Sequence, residues 1–482
     1  MTEIELKFQV PAIRRVALAR AVGASRSSRV PLRAQYYDTA GRHLALAGLA
    51  LRVRKEGRRW VQTLKGAGDG IWQRLEHEVE LDVPAGAVPV ADPALHDGTE
   101  AGAALRQALG EGLLLPTYAT EVTRIKRLVR AKGCLVELSF DQGALKAGDR
   151  RWPLCELEFE LKGGEAAALA ALAARWVQRF GLTLDIRTKA ERGDRLARGV
   201  RLGAPVKAQA LLLTPAVDSH VALRAVVGNC LVQVLGNASE IAHEEDTAPE
   251  HLHQLRVGLR RLRTALRELG ALSPQVGPGW ADTLAQLFDR LGSARDRDAL
   301  AQTLLPALHK AGAAGLALPT TLAEPAAQLA LRDTATTQLW LELLAFAAGT
   351  GLSGAPFAPP LQERLARLFR QVRRDAAQFA VLGDGARHRL RKRVKRLRYL
   401  SDFAASLYRP KDVMAFQKRL APAQDALGAF NDVCVARALF EPLGPQDPLA
   451  VFALGWLAHE RDDCIERSVR ALAPLRKAKP FW

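Results

Sequence analysis

The sequence predicts an α+β multidomain protein: a closed antiparallel β-barrel with a charged lumen, then an all-α half. Three observations predict it. Charged and apolar residues alternate in run after run up to about Arg201; apolar residues recur at helical spacing beyond Pro205; and the helical half contains matched segments. At 482 residues the chain is too long for one ordinary core.

The first element is Glu3-Ile4-Glu5-Leu6-Lys7-Phe8-Gln9-Val10. A strand sends alternate side chains to opposite faces. Glu3, Glu5 and Lys7 therefore share one face, and Ile4, Leu6 and Phe8 the buried one. Two carboxylates beside an ammonium can hold a hard cation and an anion together. The alternation recurs at Arg52/Arg54, Thr63/Lys65, Arg74/Glu76/Glu78/Glu80, Arg124/Lys126, Glu137/Ser139/Asp141 and Glu156/Glu158/Glu160. Turn signals such as Gly66-Ala67-Gly68-Asp69-Gly70 and Lys132-Gly133 separate the runs, as in antiparallel hairpins.

One such run reads as a half-buried strand with its polar face in water. Together the runs read otherwise, because acidic and basic rows come from strands far apart in sequence. A closed barrel with a polar lumen brings them face to face. Carboxylates there suit divalent metal, and Lys and Arg suit phosphate oxygens. Helices are expected at Ala12–Val22 and Glu165–Phe180, covering the apolar outer face.

From Thr2 to about Arg201 the chain resembles the CYTH superfamily, the triphosphate tunnel metalloenzymes. The residues that carry the resemblance are Glu3-x-Glu5-x-Lys7, Tyr36-Tyr37-Asp38-Thr39, Leu51–Arg54, Thr63–Gly66, Arg74/Glu76, Thr123–Lys126, Glu137 to Gly143, Cys155–Glu158 and Thr188–Gly193. The resemblance implies an eight-stranded antiparallel barrel that hydrolyses or cyclises triphosphates with Mg²⁺ or Mn²⁺. With residue chemistry, it implies that Lys7, Arg52, Arg54, Lys65, Arg124, Lys126 and Lys189 bind the triphosphate. Glu3, Glu5, Asp141, Glu156 and Glu158 would carry metal, and Glu76 would join either shell. Glu3, Glu5 and Lys7 would be catalytic, and Arg192 structural.

Gly203-Ala204-Pro205 reads as a linker, giving domains at 1–203 and 215–482. Thr247-Ala248-Pro249-Glu250 has the form of a capping box. It opens a helix, His253–Leu269, with one face of leucines and a stripe of His253, Arg256, Arg260, Arg263 and Arg267. The segment His253–Arg263 lines up with His388–Arg398, and Leu291–Asp296 with Leu427–Asp432, which indicates an internal duplication. Ala386–Arg398 holds eight Lys or Arg and no acid. Like charges at this spacing destabilise a helix, so the run needs compensation. Two such helices face to face would suit a linear polyanion. A metal reading of His243, Glu244, Glu245, Asp246, His251 and His253 is weak, because residues two apart diverge on a helix.

This half resembles the CHAD domain, whose members are associated with inorganic polyphosphate. The resemblance implies polyphosphate binding by His253, Arg256, Arg260, Arg263, His388, Arg391, Lys392, Lys395 and Arg398. CYTH followed by CHAD implies an inorganic triphosphatase with tripolyphosphate as substrate and polyphosphate as a second partner. Cys434 replaces Asp298 in the second copy, which breaks symmetry there.

The net charge of +18 implies a polyanionic partner. It is shared: residues 1–203 hold 33 basic against 24 acidic residues (+9), and the remainder 36 against 27 (+9). Five scattered cysteines without a C-x-x-C pair, and no visible signal peptide, suggest a reduced cytoplasmic protein. The uncharged stretch Leu343–Gln362 is broken by Gly and Pro and reads as a helix end and loop, so no membrane partner is expected. No DNA-reading motif is recognisable, so no specific nucleic acid is expected. Alternatives are a thiamine triphosphatase, a class IV adenylate cyclase, a non-enzymatic polyphosphate-targeting protein and a nucleic-acid binder.

Overall fold

The computed structural model describes residues 2–24, 26–68, 70–84, 86–244, 248–318, 326–351, 354–444 and 447–482; the side chains at 2, 67, 293–299, 302–303 and 326 lie outside that description. Two compact units form. One holds Met1–Val206, Val234–His251 and Gln328–Gly349; the other holds Lys207–Gln233, Leu252–Ala327 and Thr350–Trp482.

The first unit is built on β1 (Thr2–Gln9), β2 (Ser27–Asp38), β3 (Ala50–Glu56), β4 (Arg59–Ala67), β5 (Gln73–Leu81), β6 (Leu115–Ala131), β7 (Cys134–Ala147) and β8 (Arg150–Gly164). They form one antiparallel sheet in the order β5-β4-β3-β2-β6-β7-β8-β1. Thr2, Glu3 and Ile4 then pair with Leu75, Arg74 and Gln73, closing an eight-stranded barrel. A two-residue strand, β9 (Thr183–Leu184), lies against the end of β1. The β6–β7 hairpin turns at Gly133, whose φ of +82° suits a residue without Cβ.

The apolar members of the alternating runs do face outward and are buried: Leu6, Phe8, Leu51, Leu64, Phe140, Leu157 and Phe159. Helix α1 (Arg15–Val22), entered through a 3₁₀ turn at Ala12–Arg14, covers β6 and β7. Helix α2 (His43–Leu46) and α3 (Glu100–Leu109) cover the β3–β4 side through Leu44, Leu105 and Ala101. Helix α4 (Ala166–Phe180) covers β8, with Trp176 edge-on to Phe159.

Inside, the lumen has two halves. One is apolar: Leu32, Tyr36, Tyr118, Val122, Leu145, Trp152 and Leu154 pack with Leu196 of α5 (Lys189–Ala197). Helix α5 starts with a reciprocal capping box between Thr188 and Glu191. A Cβ at Gly193 would sit 2.1 Å from the Tyr118 ring, so only glycine lets α5 seat this deeply. The other half of the lumen is charged.

The remaining helices are α6 (Ser219–His243), α7 (Pro249–Leu269), α8 (Trp280–Arg290), α9 (Gly292–Lys310), α10 (Ala326–Arg332), α11 (Thr334–Ala347), α12 (Ala358–Ala377), α13 (Asp384–Ala404), α14 (Pro410–Phe440) and α15 (Pro448–Arg476). They make a helical-bundle region. Proline stands at the first helical position of α7, α14 and α15, where its missing N–H does no harm. Thr247 of the expected capping box lies outside the described residues, as do Glu245 and Asp246. Leu255, Leu259 and Leu262 of α7 and their counterparts Leu390, Val394 and Leu397 of α13 are all buried. The downstream counterparts differ: Leu291-Gly292 falls at the break between α8 and α9, whereas Leu427-Gly428 lies inside the unbroken α14. The side chains of Arg295–Asp298 are outside the description.

Helix α11 ends at Ala347 and α12 begins at Ala358; the described glycines of the uncharged stretch fall between them, whereas Pro359 and Pro360 stand in the first turn of α12. One described helix, α6, is long and apolar enough to cross a membrane; 67% of its most apolar window is buried inside the fold.

Candidate active site and basic helical face

Strand register puts the charged rows side by side. Lys7 stands opposite Glu158, Glu156 opposite Asp141, Asp141 opposite Arg124, Arg52 opposite Thr63 and Lys65 opposite Glu76. Directly opposed residues share a face. The alternation that buries one side chain outward therefore aims the next into the lumen.

Asp141, Glu156 and Glu158 form the centre, with one carboxylate oxygen from each lying within 4.8 Å of the others. Arg124 grips Asp141 with both arms, at 2.7 and 2.6 Å, and reaches Glu158 at 2.7 Å. Lys189 Nζ is 2.8 Å from Asp141 and 2.5 Å from both glutamates. Arg192, also from α5, pairs with Glu156. Burial alone would raise these carboxyls. Arg124 and Lys189 outweigh it and hold Asp141 and Glu158 below the usual carboxylate range; Arg192 and Lys189 do the same for Glu156.

Lys65 joins Glu3 at 2.6 Å and Glu76 at 3.2 Å. Arg54 pairs with Glu56 and with Glu78 at 3.4 Å. Lys126 meets Glu137 at 3.0 Å nearer the rim. Burial pushes the Glu5 carboxyl up to about 7, with Glu158 and Glu3 adding repulsion against the pull of Lys65. Burial lowers Lys7 to about 8, and its ammonium donates to the backbone carbonyl of Arg187.

The centre fits a hard divalent cation. Its donors are all oxygens, and buried Glu156 Oε1 has no hydrogen-bond partner: Lys189 lies close to it but out of hydrogen-bonding geometry. The barrel thus holds a candidate acidic metal cluster.

In the second unit, α7 and α13 bring cations together. Arg256, Arg260 and Arg263 converge on the Phe288 ring at 4.5, 5.8 and 5.2 Å from its centre. Arg256 also donates to the Leu291 carbonyl at the α8–α9 break, at 2.7 Å. Lys395 faces Arg391, Arg260 and Arg256; burial first, then these cations, lower it to about 7 against the pull of Asp432. His388 meets Asn431 at 3.2 Å, and burial with Lys392 and Arg391 lowers its pKa. Arg398 is turned onto Asp402, at 3.0 Å. His253 is half-buried on α7.

Two family profiles match this chain. The CYTH domain matches residues 1–193 and the CHAD domain residues 225–441. The chain joins a CYTH domain to a CHAD domain. An inorganic triphosphatase of Haemophilus influenzae is 31% identical over 142 residues, which cover 28% of this chain and 37% of that protein. The CHAD domain of the plant Ricinus communis is 31% identical, with a TM-score of 0.48, over 58% of this chain and 99% of that one. A Hippeastrum protein described as having a dominant triphosphatase activity is 18% identical, with a TM-score of 0.29, over 42% of this chain and 97% of that one.

Several residues of the CYTH half carry weight that sequence reasoning did not assign. Tyr36 Oη accepts from Arg52 at 3.2 Å; burial would raise the phenol, yet Arg52, Lys189 and Arg54 hold it below its ordinary value. Its ring stacks on Tyr118 at 4.6 Å. Asp38, in the same motif, accepts from the backbone N–H groups of Thr39, Leu44 and Ala45 and so builds the turn into α2. Asp185 and Arg187 form a buried pair behind Lys7. Glu244 accepts from Arg187 at 2.8 Å, and His243 sits 3.3 Å from the Leu184 carbonyl. Those two residues serve packing around the barrel in this arrangement. Tyr36 and Asp38 end β2, where no charged alternation marks them, and Asp185, Arg187, His243 and Glu244 lie after β9 and at the end of α6, outside the alternating runs.

Proposed function

We propose that this chain hydrolyses inorganic triphosphate to pyrophosphate and phosphate inside the CYTH tunnel, and that its CHAD half binds longer inorganic polyphosphate in the cytoplasm. The observation that carries the reading is the Asp141–Glu156–Glu158 cluster, clasped by Lys189 and Arg124, in a lumen walled by further Lys and Arg. The triphosphatase relative supports the same reaction class.

Cleaving a phosphoanhydride needs positioning and charge stabilisation more than covalent chemistry. Mg²⁺ or Mn²⁺ would be held by Asp141, Glu156 and Glu158, with Glu3 and Glu5 as further ligands, and when bound it neutralises phosphate charge and acidifies water. Arg52, Arg54, Lys65, Lys126 and Lys189 bind phosphate oxygens. Arg124 does so with a fork suited to two oxygens at once. The carboxylates paired with Arg54, Lys65, Arg124, Lys126 and Lys189, and the Tyr36 hydroxyl that accepts from Arg52, keep them extended into the lumen. Glu5, beside Glu3 in the lumen, would orient the attacking water. Lys7 holds the chain end beside it, and Glu76 would join the site through Lys65, 3.2 Å away. The apolar plug of Tyr36, Tyr118 and Leu196 closes one half of the lumen, so substrate enters from the charged side.

The test is a substrate panel of tripolyphosphate, thiamine triphosphate and ATP with Mg²⁺ and with Mn²⁺. Tripolyphosphate should be cut fastest. Cyclic AMP as the main product would overturn the hydrolase reading. In the CHAD half, Arg256, Arg260, Arg391 and Lys395 are the core of the polyphosphate site, with His253, Arg263, His388, Lys392 and Arg398 around it. Neither sequence-specific nucleic acid nor membrane is a proposed partner.

A further inference from the structure

A second basic surface lies away from the α7–α13 stripe. A groove of about 430 Å³ runs between α12 and the last turn of α15, and five of its six lining residues are Arg370, Arg373, Arg374, Arg476 and Lys477. On the other side of α15, a wider groove of about 760 Å³ against α14 is lined by Lys418, Arg419, Arg467 and Arg470 with alanine and proline. Neither lining contains an acidic residue.

The spacing is regular. Residues 370, 373 and 374 of α12 follow i, i+3, i+4, so α12 turns one basic row into the first groove, and the end of α15 adds Arg476 and Lys477 beside Ala473. In the second groove α14 contributes Lys418 and Arg419, and α15 contributes Arg467 and Arg470. Such a row of like charge destabilises α12 unless something answers it.

Elsewhere in this unit acids answer the arginines. Arg396 meets Glu268 at 2.6 Å, Arg398 meets Asp402 at 3.0 Å, Arg461 meets Asp384 at 2.7 Å, and Arg393 pairs with Asp375. In the second groove Arg467 pairs with Glu460 and Arg470 lies 3.6 Å from Glu466; in the first only Arg374 has an acid, Asp375 at 3.2 Å, and Asp375 is already shared with Arg393. Arg370, Arg373, Arg476 and Lys477 have no acidic side chain in ion-pair range among the described residues. The negative end of the α15 dipole accounts for Arg476 and for Arg419, which donates to the Lys477 carbonyl at 3.3 Å. It does not account for the basic row of Arg370, Arg373 and Arg374 on α12. Unrelieved local conflict of this kind marks a binding surface.

We propose that the grooves flanking α15 form a second polyanion site whose occupant is linear inorganic polyphosphate. This rests on the reading of the CHAD half as a polyphosphate binder. The linings favour that occupant. They hold charge and small apolar residues but no aromatic ring on which a base could stack, so a phosphate chain finds every contact it can make. A chain too long for the α7–α13 stripe would gain further ion pairs here, and its affinity would grow with length.

The experiment uses the full-length protein and length-fractionated polyphosphate. Four forms are compared: wild type, Arg370→Gln/Arg373→Gln/Arg476→Gln, the corresponding Glu triple, and Arg260→Gln/Lys395→Gln in the stripe. Circular dichroism confirms folding, and the exposed Gln triple serves where the Glu triple does not fold. Losing three phosphate contacts should weaken long-chain binding at least about tenfold and reduce the salt slope by roughly two to three. The stripe variant should keep measurable long-chain binding. Equal affinity and equal salt slope for wild type and the groove triples would overturn the site. So would loss of binding to anionic phosphatidylserine vesicles, or to single-stranded DNA, with polyphosphate binding intact. Wild-type chain that binds no polyphosphate would overturn the CHAD reading as well. Wild-type turnover of tripolyphosphate reports on the tunnel separately.

Discussion

The tunnel and the helical stripe are both crowded with Lys and Arg, yet they handle charge in opposite ways. In the tunnel the central cations are balanced. Arg124, Lys189 and Lys65 each touch at least two carboxylates, and their charge is held firmly in place. In the stripe, Arg256, Arg260 and Lys395 face one another and an aromatic ring, and burial, with these cations, lowers Lys395 to about 7. A balanced set can take metal and phosphate together, because each replaces a partner of the same sign. A set of cations gathered around an aromatic ring attracts a polyanion directly. Metal dependence should therefore belong to the tunnel, and proton-linked polyphosphate affinity to the stripe.

The largest effect that could break this contrast is metal removal. Chelating divalent cations should abolish triphosphate turnover while leaving polyphosphate affinity within about twofold. Calorimetry and phosphate release check both halves. Polyphosphate binding that collapses with chelation would merge the two regions into one metal-dependent site.

Lys189→Ala comes next. It leaves Asp141, Glu156 and Glu158 buried without their shared ammonium, which should cost about 3–5 kcal/mol of stability. Added Mg²⁺ or Mn²⁺ should raise the melting temperature of this variant more than that of wild type, since a cation restores the lost charge. Equal shifts would mean that the three carboxylates do not hold metal.

A truncated chain of residues 1–203 tests what the tunnel needs. Arg187 stands behind Lys7 and is held by Asp185 together with Glu240 and Glu244, which lie beyond that boundary. Helix α4 also packs on α11, where Gln338 donates to Gln178 at 2.8 Å. The fragment should melt below the full chain and turn over triphosphate more slowly. Extending its end alone to Val206 should not rescue it.

The smallest effect is proton linkage in the stripe. Free Lys395 loses its proton as pH rises through about 7, from an unfolded value of 10.5. A bound polyanion favours the charged form. Affinity should fall roughly threefold to tenfold between about pH 6 and 8. Lys395→Gln should flatten the profile, leaving His388 to act only on the acid side.

The sequence made the barrel legible because strand period and charge sign coincide. Lys7, Glu158, Asp141 and Arg124 occupy alternate positions of their strands, so one pattern gave both the buried face and the lumen. It made the stripe legible because α7 and α13 repeat the same leucines and cations. The apolar plug was not legible. Leu32, Leu145 and Leu154 point inward like the charged residues, so they break the inward-polar rule, and only closure of the barrel under α5 shows why. Nor was the support of Arg187 legible, since Glu240 and Glu244 lie on a helix whose sequence reads as part of the helical half. The break at Leu291-Gly292 and the continuity at Leu427-Gly428 also escape a reading based on matched residues.

The central claim is that the balanced tunnel is a metal-dependent triphosphatase. It is tested most directly by following phosphate release from tripolyphosphate, thiamine triphosphate and ATP by the full chain with Mg²⁺, with Mn²⁺ and with chelator. The account predicts metal-dependent release, fastest from tripolyphosphate, and its loss in Glu156→Gln/Glu158→Gln. Wild-type turnover in that folded double variant, or no turnover of any triphosphate with either metal, would contradict it.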